Sequence, residues 1–157
     1  MLKLNPQDYL YLLDPTWKLY SNGQTISYSF LNGLPGDYPP NFLQGAYLNG
    51  FAPFTAAQRA ATRKIFDLIE SITTLRFAEV SPGTVCDIRF GNTAQTNTGG
   101  VNIPFRSSAN DPLHPINDIY ISNTTGFDNT GTTLGGYGFA TLIHEIGHAL
   151  GLKHPHD

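Results

Sequence analysis

The chain has 157 residues, 40% of them hydrophobic, enough to bury one core and too few for two comfortable domains. A net charge of −3 with only 13% charged residues excludes the basic stripe that nucleic acid requires and the polybasic tag that holds a protein on an anionic membrane. Cys86 is the single cysteine, which excludes an internal disulfide and any cysteine-based metal cluster and leaves an inert buried thiol as the expectation.

In chain order, residues 1–20 read as an arm or a propeptide remnant in which Leu10, Leu12, Leu13 and Trp17 could cover a neighbouring surface. This start lacks the basic, apolar and small-residue sections of a signal peptide. No apolar run in the chain reaches the roughly 18 residues of a spanning helix. Ile26, Tyr28 and Phe30 alternate with small polar residues, the period-two pattern of a strand with one buried face. A Gly, Pro and Asn-rich stretch follows, and then a helix opens at Thr55 with Gln58 three residues on, a capping-box signature. Ala57, Ala61, Ile65, Leu68 and Ile72 give this helix its apolar stripe.

Three short strands are predicted over 75–80, 86–91 and 117–122. Gly100 to Phe105 forms a further strand whose Pro104 places it on a sheet edge, since proline cannot donate to a ladder. A final helix starts near Tyr137 with Phe139, Leu142, Ile143, Ile146 and Leu150 on its apolar side. The sum is an α/β chain, α+β in some schemes: a mixed five-stranded sheet with helices packed on it.

The last helix also carries chemistry, in the closing string HEIGHALGLKHPHD. His144 and His148 are one helical turn apart, so both imidazoles can reach one ion, while Glu145 on the flank can contact water there without being a ligand. On an unbroken helix, His154 would lie about 15 Å along the axis from His144, far beyond a Zn–N bond of about 2.0–2.1 Å. The chain must turn back, and Gly151 stands where a left-handed break is needed, with Pro155 preventing continuation. Five fixed positions of this kind coincide by chance in far fewer than about one in ten thousand chains of this size. His156 is a weaker rival for the third ligand, and His114 reads as a solvent-facing loop residue.

Three neutral imidazoles favour zinc and leave one coordination position open, so peptide hydrolysis by a metal-bound water with Glu145 as general base is the chemistry expected.

The string HEIGHALGLKHP resembles the zinc signature of metzincin endopeptidases, and the proline after the third histidine is similar to the serralysin branch. ISYSF, the long helix from Thr55, NDIYIS and YGFATLIHEIGHALGL extend the resemblance over roughly residues 10–157. It implies a secreted zinc endopeptidase with a twisted five-stranded sheet, one long backing helix and one active-site helix. The implied metal ligands are His144, His148 and His154, and Glu145 is the implied base. Substrate in that family lies antiparallel to an edge strand, which implies that Gly100, Val101 and Asn102 offer backbone groups to an extended polypeptide.

The departures are equally specific. Metzincins carry a methionine turn below the metal and serralysins a nearby tyrosine, whereas Met1 is the only methionine here and no tyrosine follows Tyr137. Serralysins usually have glycine where His156 stands. Residues 21–157 are therefore expected to form the upper subdomain of such a catalytic domain without the lower one. Calcium is expected only through glycine-rich repeats that this chain does not contain. Weaker zinc binding and low or no proteolysis by residues 1–157 alone, and a monomeric state, complete the expectation. The competing reading is a noncatalytic zinc- or peptide-binding module derived from such a protease, against which the intact Glu145 speaks.

Overall fold

The computed structural model describes residues 20, 23–38, 47–105 and 116–154. The apolar residues of the N-terminal arm, His114, Pro155 and His156 lie outside them. Five strands and two helices follow in the order β1 (Thr25–Phe30), α1 (Ala56–Ile72), β2 (Arg76–Glu79), β3 (Ile88–Thr93), β4 (Gly100–Phe105), β5 (Ile116–Ser122) and α2 (Tyr137–Ala149). The strands form one mixed sheet in the order β2-β1-β3-β5-β4. All neighbours are parallel except β4 against β5. Parallel neighbours cannot be joined by a tight hairpin, and α1 supplies the crossover between β1 and β2.

The capping box predicted at Thr55 is present: its hydroxyl accepts from the Gln58 backbone N–H, and the Gln58 side chain accepts from the Thr55 backbone N–H. The buried stripe of α1 differs from the expectation. It runs through Gln58, Ala61, Thr62, Ile65 and Phe66, while Leu68 and Ile72 are 56% and 74% exposed. The helix is rotated because Gln58 is drawn inward: its amide bonds the Asn92 side chain at 2.7 Å on the central strand. A polar pair thus set the face, which a search for apolar periodicity could not register.

Alternation along the strands gives the sheet two unlike faces. Ile26, Tyr28, Phe30, Ile88, Phe90, Ile119 and Ile121 join Phe54, α1 and α2 in the main core. The opposite face carries Arg89, Asp118 and Tyr120 beneath the 31–38 loop. Strands β3 and β5 are buried at every position. Strand β3 begins at Ile88, later than predicted, because Asp87 is used as a side-chain partner: its carboxylate accepts from the Ser27 backbone N–H and hydroxyl. Cys86 is buried against Ser29, and burial pushes its thiol pKa up, as suits an inert group. Pro104 sits on the outermost strand, where its missing N–H costs the ladder nothing.

Candidate metal centre

Helix α2 begins without a side-chain cap, at Gly136. Leu142, Ile146 and Ala149 enter the core, and Phe139 and Leu150 pack at its border. Ile143, predicted to be on that stripe, is instead 40% exposed. It lies between the core face and the histidine face. The helix lies on β4 and β5 at the free edge of the sheet.

That approach requires a glycine. A Cβ on Gly100 would meet Thr141 Cγ2 at 2.9 Å and Glu145 Cγ at 3.0 Å. Gly100→Ala is therefore expected to push α2 from the edge and to destabilise the chain by about 1–3 kcal/mol. Urea unfolding reads this directly, and an unchanged midpoint would contradict the packing assigned to Gly100. A second close approach, of Gly138 to the Asn129 and Gly131 carbonyls, leaves no room for a Cβ and fixes the start of the helix against the preceding loop.

Past Ala149 the chain reverses. Gly151 has φ +96°, the left-handed conformation expected at the break. The Leu150 N–H donates to the Ile146 carbonyl and the Leu152 N–H to the Gly147 carbonyl, so the last carbonyls of the helix are satisfied while the backbone turns. The turn returns His154 to the helix. His144, His148 and His154 present their Nε2 atoms at mutual distances of 3.0, 3.1 and 3.2 Å.

Three metal–nitrogen bonds of 2.0–2.1 Å at tetrahedral angles need nitrogens about 3.3 Å apart, close to this triangle. The three residues are the one histidine, cysteine or carboxylate group among the described residues arranged to hold a metal ion.

The protonation pattern suits a cation. His148 Nδ1 lies 2.7 Å from the Leu152 carbonyl; a carbonyl can only accept, so Nδ1 donates and Nε2 is the ring nitrogen turned to the triangle. Burial, then the neighbouring His148 and His154, lower the His144 pKa. The lowered pKa favours the neutral ring that a metal ligand must present.

Glu145 is 6% exposed beside this triangle. Burial pushes its carboxyl up to about 7, against a hydrogen bond from the Asn102 backbone amide and the charge of His154, which both pull it down. A carboxyl so placed can exchange a proton near neutrality. A cavity of about 370 Å³ opens beside these groups, lined also by Thr98, Gly100, Val101 and Asn102.

The three edge residues are not equivalent. The Ser122 N–H donates to the Gly99 carbonyl, so in the antiparallel register Val101 turns its backbone groups toward Tyr120 while Gly100 and Asn102 turn theirs outward. Of these, the Gly100 carbonyl accepts from Thr98 Oγ1. The sequence reading did not find the supports of the site, namely the Leu152 carbonyl, the Asn102 N–H and the packing role of Gly100. The first two are backbone groups and leave no residue signature; a glycine inside a strand is the one signal that was available.

No family model matches the chain. Among curated proteins, metalloprotease AprA of Pseudomonas entomophila (strain L48) is 31% identical over 154 residues, covering 96% of this chain and 30% of its own length. Serralysin G of Dickeya chrysanthemi is 31% identical over 150 residues, covering 90% of this chain and 30% of its own. Serralysin of Proteus mirabilis is 33% identical over 162 residues, covering 92% and 31%.

This chain is a serralysin-like metzincin.

The serralysin-like chain spans about a third or less of the length of these metalloproteases. Its five-stranded mixed sheet and two helices suit a metzincin catalytic domain. No helix among the described residues is long and apolar enough to cross a membrane.

Proposed function

We propose that this chain carries the catalytic centre of a zinc-dependent endopeptidase that acts outside the cell. His144, His148 and His154 are the zinc ligands in this reading, Glu145 is the general base, and residues 21–157 are the upper subdomain of the catalytic domain. The observation that carries it is the triangle of Nε2 atoms with one buried carboxyl beside it.

Zinc, when bound, supplies Lewis acidity toward water and the substrate carbonyl. Glu145 takes the proton of the attacking water and returns it to the leaving amine, a role suited to a carboxyl whose pKa lies near the working pH. The hydrogen bond from the Asn102 N–H keeps that carboxyl at the edge strand, next to where a scissile bond would rest. An extended polypeptide lies along β4, using the outward Gly100 N–H and Asn102 carbonyl, while Val101 serves the strand from within. The chain works as a monomer in this reading.

Casein cleavage tests it: the low activity expected of residues 1–157 should disappear with a chelator and return on adding about one equivalent of zinc. Cleavage indifferent to the chelator would overturn the reading. One zinc per chain with no cleavage would instead leave the noncatalytic binding module.

A further inference from the structure

Asparagine is followed by glycine at residues 22–23, 32–33 and 49–50. Asn22 lies outside the described residues; the other two pairs sit in loops that the fold holds very differently. In this dipeptide the glycine nitrogen can attack the asparagine side-chain amide, because no Cβ obstructs the ring that forms and the backbone can rotate to close it. A tied loop resists that rotation until it opens locally.

Asn32 and Gly33 are both exposed. Their loop is anchored before them by the Leu31 N–H on the Phe90 carbonyl, and after them by Asp37 on Arg89. Between those anchors, among the described residues, neither Asn32 nor Gly33 makes a hydrogen bond. A Cβ built on Gly33 would meet nothing within 4 Å, so the space for the ring is open.

Asn49 and Gly50 are exposed too, but their backbone is tied. The Asn49 carbonyl accepts from the Ala94 N–H at 2.7 Å, and the Gly50 carbonyl from Asn123 Nδ2 at 3.2 Å. Gly50 has φ +64° and packs so closely that an added Cβ would meet Ala94 Cβ at 2.7 Å. Ring closure there requires the turn to open first.

We propose that Asn32 is a site of spontaneous covalent modification, converting to aspartate and isoaspartate while the fold protects Asn49. The Gly33 nitrogen bonds to Asn32 Cγ, its proton passes to the departing amide nitrogen, and the Cγ–Nδ2 bond breaks to release ammonia. Water then opens the five-membered imide. Attack at Cγ gives aspartate; attack at the Asn32 carbonyl carbon gives isoaspartate and reroutes the backbone through the side chain. Asn32 lines the cavity of about 550 Å³ between residues 31–37 and 82–85. Either product therefore adds a carboxylate to a wall that already holds Asp37 and Arg89, on the sheet face opposite the main core.

Each hydrogen bond that must open costs roughly a two- to tenfold factor in population, so Asn49 is expected to convert about tenfold or more slowly than Asn32. The chain is held at mildly alkaline pH in heavy-oxygen water and digested at intervals. Mass spectrometry of the separated peptides then reads aspartate, isoaspartate and label at each asparagine. Asn32 should take up the label, with isoaspartate among its products, well ahead of Asn49. Gly33→Ala, for which there is room, should slow Asn32 and leave Asn49 unchanged. In guanidinium chloride the two sites should converge.

Similar rates at the two sites in the folded chain, or Asn49 ahead of Asn32, would overturn the proposal. So would conversion of Asn32 without isoaspartate, or an Asn32 that stays intact while the unfolded chain converts.

Discussion

His148→Ala is expected to lower zinc affinity by about a thousandfold or more, and by roughly tenfold more than His144→Ala. Apparent binding free energies of about 10–16 kcal/mol over four ligands make each ligand worth about 2.5–4 kcal/mol, or some two to three powers of ten, before the further loss from the freed turn. His144 contributes a nitrogen to the triangle. His148 contributes a nitrogen and also donates from Nδ1 to the Leu152 carbonyl, which pins the turn that returns His154.

Without that hydrogen bond, residues 150–154 keep Gly151 as a swivel and lose the contact that stops it. His154 would then have to be ordered at the expense of binding energy. Competition against a chromophoric chelator measures both variants. Equal losses would show that the Leu152 contact does not order the third ligand.

Arg89→Ala is expected to cost about 3–5 kcal/mol of folding stability, a large part of the roughly 5–15 kcal/mol that a domain possesses. Asp118 has no exposure at all. Arg89 Nε and Nη2 donate to its two oxygens at 2.6 and 2.8 Å across the β3–β5 pair, and Nη1 donates to Asp37. The Tyr38 hydroxyl donates to the same Asp118 carboxylate. Burial works against the guanidinium charge, but Asp118 and then Asp37 more than offset it, so the Arg89 pKa is raised and the residue stays charged.

Removing the guanidinium leaves a carboxylate without its counter-charge between the two strands that carry the edge and α2. Replacing both partners, as Arg89→Met with Asp118→Leu, removes the stranded charge and should recover most of the loss, since an apolar pair in place of a buried ion pair is often neutral. Urea unfolding of the single and double variants decides it. A single-variant loss under about 1 kcal/mol would mean that the network is solvated enough to do without Arg89.

The elements of this fold were legible wherever one residue type dominated locally. Thr55 and Gln58 announced the start of α1, Pro104 announced an edge, and the spacing of Ile26, Tyr28 and Phe30 announced β1. Prediction slipped where a polar side chain was recruited inward. Gln58 reached Asn92 and turned α1, so Leu68 and Ile72 faced out. Arg89 and Asp118 likewise lie in strands buried on both faces, where charge would ordinarily argue for exposure.

At the candidate site, the side chains that can hold a metal were visible because helical spacing and one glycine fixed their geometry. Their supports were not visible, because the Leu152 carbonyl and the Asn102 N–H belong to the backbone and exist at every position. Gly100 read first as part of an edge. Its packing against Thr141 and Glu145 appears only when α2 is set on β4.

The most direct test of the zinc-peptidase reading is to measure zinc content and casein cleavage in parallel on this chain and on its Glu145→Ala variant. The prediction is one zinc in each, with the low cleavage of the chain that retains Glu145 reduced by a further factor of about 10²–10⁴ in the variant. Equal cleavage by both, or full retention of zinc by the His148→Ala variant, would contradict a metal centre built on these three histidines with Glu145 as its base.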